Sequence, residues 1–187
     1  YRKVYPECYG YTRFCELLDE AKAISEASMH QANIAGDVLQ IDFAGDKICY
    51  TDRTLGAQIA CIVFVAVLPY SGYTFVMALL DATVPQLVKA LNACLRYFDG
   101  VPLQIKCDNM KQAVIKASRY EPTFNELLEQ WALHNSTALI TARVRKPKDK
   151  AHVEGGVHLS YQRIYAPLRN EIFDSIDGIN EAMRIQL

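Results

Sequence analysis

The sequence predicts an α/β fold with one mixed sheet of five strands, three antiparallel and then two parallel, flanked by helices. Between residues 38 and 79, apolar and β-branched residues form short strand-like runs separated by turn residues. From residue 84 apolar residues repeat at three and four, which is the helical period. Short strands then alternate with helices after residue 100, and a strand–helix–strand connection places its two strands parallel.

The composition is that of a packed globular chain. Of its 187 residues, 51% are hydrophobic and 22% are charged, which excludes a disordered chain. The longest apolar run, residues 59–69, falls far short of the roughly 20 residues that span a bilayer. Because the chain begins with Tyr1 and ends in helical-looking sequence, we expect a piece of a longer protein.

Residues 1–36 are predicted to be an N-terminal helical segment with a linker. A helix is expected over residues 11–28, with an apolar face spaced at three and four. Asn33, Gly36 and Asp37 then interrupt the pattern, and we place a domain boundary after residue 36.

The core is predicted to begin with an antiparallel meander. Val38–Ala44 is the first strand, and residues 47–50 continue it as a second limb. After turn residues come strands over 58–68 and 73–79, joined by the turn at residues 69–72.

Helices and two more strands complete the predicted core, which we place at residues 37–170. Thr83 is the expected N-cap of a helix that ends at Asp99-Gly100. A strand follows over residues 101–107, and Thr123 with Glu126 forms a capping box for the next helix.

The last predicted elements are a strand and a long helix. The strand covers residues 137–141, and the helix starts at Asp149 and runs through residue 161 or beyond. Residues 171–187 are predicted to be the helical start of a following C-terminal region.

The charge and cysteine content give only weak functional signals. The formal net charge is −1, although five basic residues cluster between residues 143 and 150. A run of charge is usually solvated surface. The six cysteines form no CxxC pair, which disfavours a zinc site, and Cys61, Cys94 and Cys107 lie in apolar stretches. We expect these three to be buried, reduced thiols in a reducing cytoplasm.

Asp42 stands inside the first predicted core strand, where Asp is disfavoured. Leu39, Ile41 and Phe43 share one face of this strand, so Asp42 lies on the other face with Gln40. An unpaired buried carboxylate costs several kcal/mol, so a compensating group is expected nearby.

Asp108 ends the strand predicted over residues 101–107, on the side of Gln104 and Lys106. In a mixed sheet of this order, that strand and the strand of Asp42 can be parallel neighbours. Their acids would then meet at one end of the sheet, where α/β sheets tend to place ligands.

Glu154 lies near the start of the predicted last helix, where the helix dipole stabilises a carboxylate. Val153, Val157, Tyr161 and Ile164 can hold this helix against the sheet. Three converging carboxylates repel one another unless cations lie among them, and oxygen ligands favour Mg²⁺ or Mn²⁺. Two such ions about 3.5–4 Å apart form the general site for phosphoryl transfer.

Each acid also has an ordinary structural interpretation. Asp42 could be a strand-end turn residue, Asp108 could start an Asx-turn, and Glu154 could be an exposed helix acid. Asp46 and Asp52, which flank the second limb, are interpreted as turn acids. The combination of three acids on these elements favours the metal site.

Three segments resemble the DDE transposases and retroviral-type integrases, which have an RNase H-like fold. Residues 40–46 (QIDFAGD) resemble the first-acid segment, which often has Trp where this chain has Phe43. Residues 107–114 (CDNMKQAV) resemble the second-acid segment. Residues 146–155 (KPKDKAHVEG) resemble the third-acid segment of IstA-like insertion-sequence transposases.

The resemblance implies that Asp42, Asp108 and Glu154 are the catalytic, metal-binding triad of a Mg²⁺- or Mn²⁺-dependent polynucleotidyl transferase. With two ions, this enzyme would cut the end of an element and transfer its 3′-OH into target DNA. Six basic residues would bind DNA phosphates: Lys111, Arg143, Arg145, Lys146, Lys148 and Lys150.

The resemblance also implies partners and flanking regions. It predicts an upstream helix-turn-helix region, a further C-terminal region, an IstB-type ATPase partner, and a homo-oligomer of at least two copies on DNA in the bacterial cytoplasm, with no membrane. Two other hypotheses stay open: an RNase H-like metal-dependent nuclease that never joins strands, and a catalytically silent DNA-bound scaffold or oligomerisation domain.

Overall fold

The computed structural model describes residues 10–25, 33–107, 110, 114–116, 123–141, 163–164, 166–168 and 170–187. The chain divides into two compact units, residues 1–32 and 33–187. In the first unit, helix α1 (Tyr11–Ser25) confirms the predicted helix over the part that is described. Arg13 of α1 forms an ion pair with Glu16, one turn later, at 2.9 Å.

The second unit contains all the described strands and the other described helices. In chain order they are β1 (Val38–Phe43), β2 (Ile48–Asp52), β3 (Ala57–Leu68), β4 (Tyr73–Leu79), α2 (Val84–Phe98), β5 (Gln104–Cys107), β6 (Val114–Lys116), β7 (Thr123–Phe124), α3 (Glu126–His134), β8 (Ala138–Thr141), α4 (Ala166–Leu168) and α5 (Ile176–Gln186). No helix among the described residues is long and apolar enough to cross a membrane.

The main sheet has six strands, in the order β2-β3-β1-β5-β8, with β4 also paired to β3. β3 is antiparallel to both β4 and β1, whereas β1, β5 and β8 are parallel to one another. This confirms the predicted α/β architecture of three antiparallel strands followed by two parallel ones. β6 and β7 form a separate antiparallel pair that the sequence did not predict.

A bulge splits the first limb of the sheet into β1 and β2. β1 pairs Phe43 with Phe64 of β3, and β2 pairs Ile48 with Cys61 of the same strand. The chain thus advances five residues while its partner moves back three, which leaves two extra residues in the limb. The Ala44 N–H still donates to the Val63 carbonyl at 2.8 Å, so pairing continues up to the bulge.

One face of the sheet packs on α2 and α3. Their contact, which we term the α2/α3 core, buries Leu39 and Ile41 of β1 and Ile105 of β5 against Leu91 and Leu128 of the helices. Burying each such side chain contributes about 1.5–3 kcal/mol. The apolar faces of the strands, which repeat every two residues, therefore pack in this layer against the apolar faces of the helices, which repeat every 3.6 residues.

The other face packs on the C-terminal stretch. We term this contact the α5 core, whose buried residues are Cys61, Val63, Val65, Val67, Val76, Ala78, Ile164, Leu168, Phe173, Ile179 and Met183. The Thr51 N–H donates to the Phe173 carbonyl at 2.8 Å, and Arg53 forms an ion pair with Asp174. Residues 33–187 therefore form one unit, and the assignment of residues 171–187 to a following region stays a prediction.

Of the two predicted helix N-caps, one is confirmed in its position and the other is wrong. Thr83 is the N-cap of α2, but its side chain makes no capping bond. The expected capping box of Thr123 and Glu126 does not form, because Asn125 is the N-cap of α3 and accepts the Leu127 N–H through its side chain at 3.0 Å. Thr123 instead lies in β7, paired with β6.

Asn180 of α5 satisfies the outer edge of β4, and its loss should weaken the fold. Its side chain accepts the Ala78 N–H at 2.7 Å and donates to the Ala78 carbonyl at 3.1 Å. Asn180→Ala leaves both half-buried backbone groups unpaired, so we expect a loss of about 1–3 kcal/mol of unfolding free energy in urea titrations. The neighbouring exposed variant Glu181→Ala is the control and should change stability little. Equal effects of the two variants would contradict this role.

Candidate active site

Asp42 lies one residue before the end of β1, on the face of the α5 core. It pairs across the sheet with Val65 of β3, which is buried in that core. The Asp42 carboxylate is half-buried, and its Oδ1 accepts the backbone N–H of Phe43 at 2.8 Å. This bond holds a negatively charged oxygen group at the carboxyl end of the central strand.

The parallel pairing of β1 and β5 sets the position beside Asp42. The register runs from Val38 opposite Gln104 to Ile41 opposite Cys107, which ends the described part of β5. Asp42 follows Ile41 on β1, and Asp108, which follows Cys107 in the sequence, lies outside the described residues. The sequence prediction that these strands are parallel neighbours is confirmed.

Two polar residues of this face were given no role in the sequence analysis. Gln40 is only 6% exposed, and Lys106, its register partner on β5, is half-buried. The Gln40 Oε1 has no hydrogen-bond partner among the residues that the structure describes. The sequence signal that could have found them is the presence of polar residues at alternate strand positions, Gln40 with Asp42 and Gln104 with Lys106.

Of the predicted site residues, only Asp42 lies in the part of the chain that the structure describes. The others lie outside it: Asp108, Glu154, Lys111, Arg143, Arg145, Lys146, Lys148 and Lys150. Within the described residues, no three His, Cys, Asp or Glu side chains come close enough to hold a metal ion. The metal-binding triad stays a prediction.

Asp52 and Cys107 do not belong to the candidate site. Asp52 is a turn acid, as predicted, since its Oδ1 accepts the N–H groups of Thr54 and Leu55 at 2.8 and 3.1 Å. Cys107 ends β5 but is buried in the α2/α3 core, on the face opposite Asp42. Its thiol is therefore no ligand for a cation beside Asp42.

The sequence comparisons find relatives that cover nearly the whole chain. A protein of Sinorhizobium fredii named as transposase y4uI is 37% identical over 178 residues, which is 95% of this chain and 35% of that protein. A protein of Burkholderia multivorans named as the transposase for insertion sequence IS408 is 38% identical over 176 residues, 94% of this chain and 34% of that protein. The chain is therefore similar in sequence to part of each of these transposases. It spans about a third of their length.

Solved structures confirm the fold of this chain. The catalytic core of BIV integrase has a TM-score of 0.55 at 14% identity, covering 81% of both chains. The catalytic core of HTLV-2 integrase in complex with magnesium has a TM-score of 0.52 at 16% identity, covering 79% of this chain and 83% of that one. The chain thus has the RNase H-like fold of integrase catalytic cores. No family model matches the chain.

The buried cysteines of the chain should resist alkylation. Burial raises the pKa of Cys107 to about 12 and also raises that of Cys94. Because the thiolate is the nucleophile, maleimide at pH 8 should label the exposed Cys49 and leave both of these residues unmodified. Peptide mapping by mass spectrometry measures this, with labelling in urea as the control. Fast labelling of native Cys107 would contradict its burial.

Proposed function

We propose that the longer protein containing this chain is a DNA transposase, and that this chain is its catalytic core. The enzyme cuts the phosphodiester at the end of its element and joins the resulting 3′-OH to target DNA. The observation that carries the proposal is Asp42 at the carboxyl end of the central strand of an integrase-like sheet. The relatedness to transposases supports the same reaction class.

Asp42 and Asp108 are proposed as the first two acids of the site. Ile41 and Cys107 are register partners on parallel strands, which are about 4.8 Å apart, and each acid directly follows one of them. Side chains at matching positions of neighbouring strands share a face. This register supports a convergence of the two carboxylates on the face of Val65.

Glu154 is proposed as the third acid. The sequence predicts a helix from Asp149 onward, and Ile164 lies ten residues after Glu154. Ile164 is 3% exposed and packs in the α5 core, on the face of the sheet that also carries Asp42. A helix of ten residues is about 15 Å long, so a helix anchored at Ile164 can carry Glu154 along this face.

The donor chemistry of the proposed triad fits Mg²⁺ or Mn²⁺. Asp42 offers a half-buried carboxylate at a strand end, and hard divalent cations prefer such oxygen ligands. Asp42, Asp108 and Glu154 would hold two ions, which supply charge for activating the attacking oxygen and stabilising the leaving oxygen. The Asp42 carboxylate is oriented in advance by the Phe43 N–H.

Six basic residues are proposed to position DNA by its phosphates: Lys111, Arg143, Arg145, Lys146, Lys148 and Lys150. Such contacts fix the strand without reading sequence. The proposal extends to a homo-oligomer of at least two copies on DNA and to an IstB-type ATPase partner. An intasome that contains a structurally similar chain, with a TM-score of 0.56 at 13% identity over 83% of this chain and 49% of that one, supports the oligomer.

Asp42→Asn tests the catalytic role in the full-length protein. The amide retains an acceptor for the Phe43 N–H but removes the negative charge, so we expect a folded protein whose strand joining falls at least about 100-fold. Labelled element-end DNA and a target plasmid with Mg²⁺ measure cutting and joining separately. Chelation of the metal should abolish both steps in the unmodified protein.

Asp52→Asn is the matched control, because Asp52 belongs to a turn and its amide can still accept the same N–H groups. This variant should cut and join at the unmodified rate. Cut ends without joined products from the unmodified protein would favour a nuclease instead. Activity that survives Asp42→Asn would overturn the proposed site.

The double variant Lys146→Ala/Lys148→Ala tests the proposed DNA contacts. Each lost phosphate contact should lower affinity similarly for all DNA sequences and reduce the slope of log K against log salt by about 1. Binding titrations of full-length protein at several salt concentrations measure this. The control is Lys89→Ala, an exposed position on α2, and an equal loss there would argue against specific contacts by Lys146 and Lys148.

A further inference from the structure

Lys106 is a lysine in the interior of the sheet. β5, which carries it, is paired on both edges, with β1 and with β8. Ile105 and Cys107 point into the α2/α3 core, so Lys106 lies on the opposite face, where it is half-buried. Lys is depleted in strands, and a partly desolvated ammonium needs compensation by acceptors or negative charge.

On this face, the neighbours of Lys106 on the side of the candidate active site are polar. Its register partners are Gln40 on β1 and Ile140 on β8. Asp42 lies on the same face two residues beyond Gln40, at a Cα separation from Lys106 of about 8 Å by strand geometry. The flexible four-carbon side chain of lysine can span this separation and bring its ammonium close to the Asp42 carboxylate.

Gln40 gives a second, independent observation. Its side chain is 94% buried, and its Oε1 has no partner among the described residues. A buried acceptor left unpaired is costly. Lys106, its register partner on β5, is a cation on the same face of the sheet, and its ammonium does not donate to this oxygen.

We propose that Lys106 is a built-in counter-charge of the acidic site. The ammonium offsets the negative charge of Asp42 and lowers the affinity of the site for divalent cations. The inference rests on the proposed function, because it takes Asp42 as a metal ligand. No bond to DNA is assigned to Lys106.

The charge of Lys106 makes a quantitative prediction. An ammonium about 6–8 Å from a divalent ion opposes its binding by about tenfold even under the strong screening of water, and by more in a half-buried site. Lys106→Met removes the charge and keeps the length of an unbranched chain. We expect the full-length Lys106→Met protein to bind Mn²⁺ at least about tenfold more tightly than the unmodified protein.

Mn²⁺ titration of full-length protein without DNA, followed by calorimetry or by the paramagnetic resonance of unbound Mn²⁺, measures this affinity. Lys106→Arg keeps the charge and should retain the unmodified affinity. Lys89→Met removes an exposed charge from α2 and should also leave it unchanged. If Lys106→Met does not fold, Lys106→Gln, which is also uncharged, is measured in the same way.

The outcomes separate this inference from the proposed function. If Asp42→Asn abolishes Mn²⁺ binding while Lys106→Met leaves the affinity unchanged or weaker, the counter-charge is overturned and the proposed site stands. If Asp42→Asn binds Mn²⁺ like the unmodified protein, both are overturned. A purely structural role of Lys106 would lower the urea midpoint of Lys106→Met without tightening Mn²⁺ binding, and this result too would overturn the counter-charge.

Discussion

The pairing of β1 on both of its edges is the constraint on which the rest of the structure depends. β3 runs antiparallel along one edge and β5 runs parallel along the other, so every residue of β1 has fixed neighbours. Alternation then sends Leu39 and Ile41 into the α2/α3 core and turns Asp42 to the opposite face. A slip of one residue would exchange the two sets, burying the acid among apolar side chains.

Much of this fold could be predicted because its patterns are strong and local. The apolar runs of β3 and β4 and the helical stripe of α2 agree in period and in turn residues, so the order of elements followed. A break after Ala44 was predicted, but the two extra residues were not, because Gly45 and Asp46 mark an interruption without fixing the register that follows it. The start of α3 was missed because Thr123 pairs in β7, a tertiary contact that overrides its capping signal.

The candidate site could be predicted from the sequence only where one residue was unusual on its own. Asp42 was noticed because an acid within a strand is unusual. Gln40 and Lys106 are ordinary residues taken one at a time, and only the register of β1 against β5 shows that they are neighbours on the face of Asp42. Polar residues at alternate positions of two separate strands therefore carry information that neither strand carries alone.

The chain as a whole is nearly neutral in charge. A site that gathers carboxylates for divalent ions repels the DNA backbone, and a formal net charge of −1 provides little counterion-release affinity to offset this. On the proposed function, the chain supplies the catalytic carboxylates rather than most of the DNA affinity. A fixed ammonium at Lys106 suits this division, since it compensates the acids within the sheet without enlarging the DNA-binding surface.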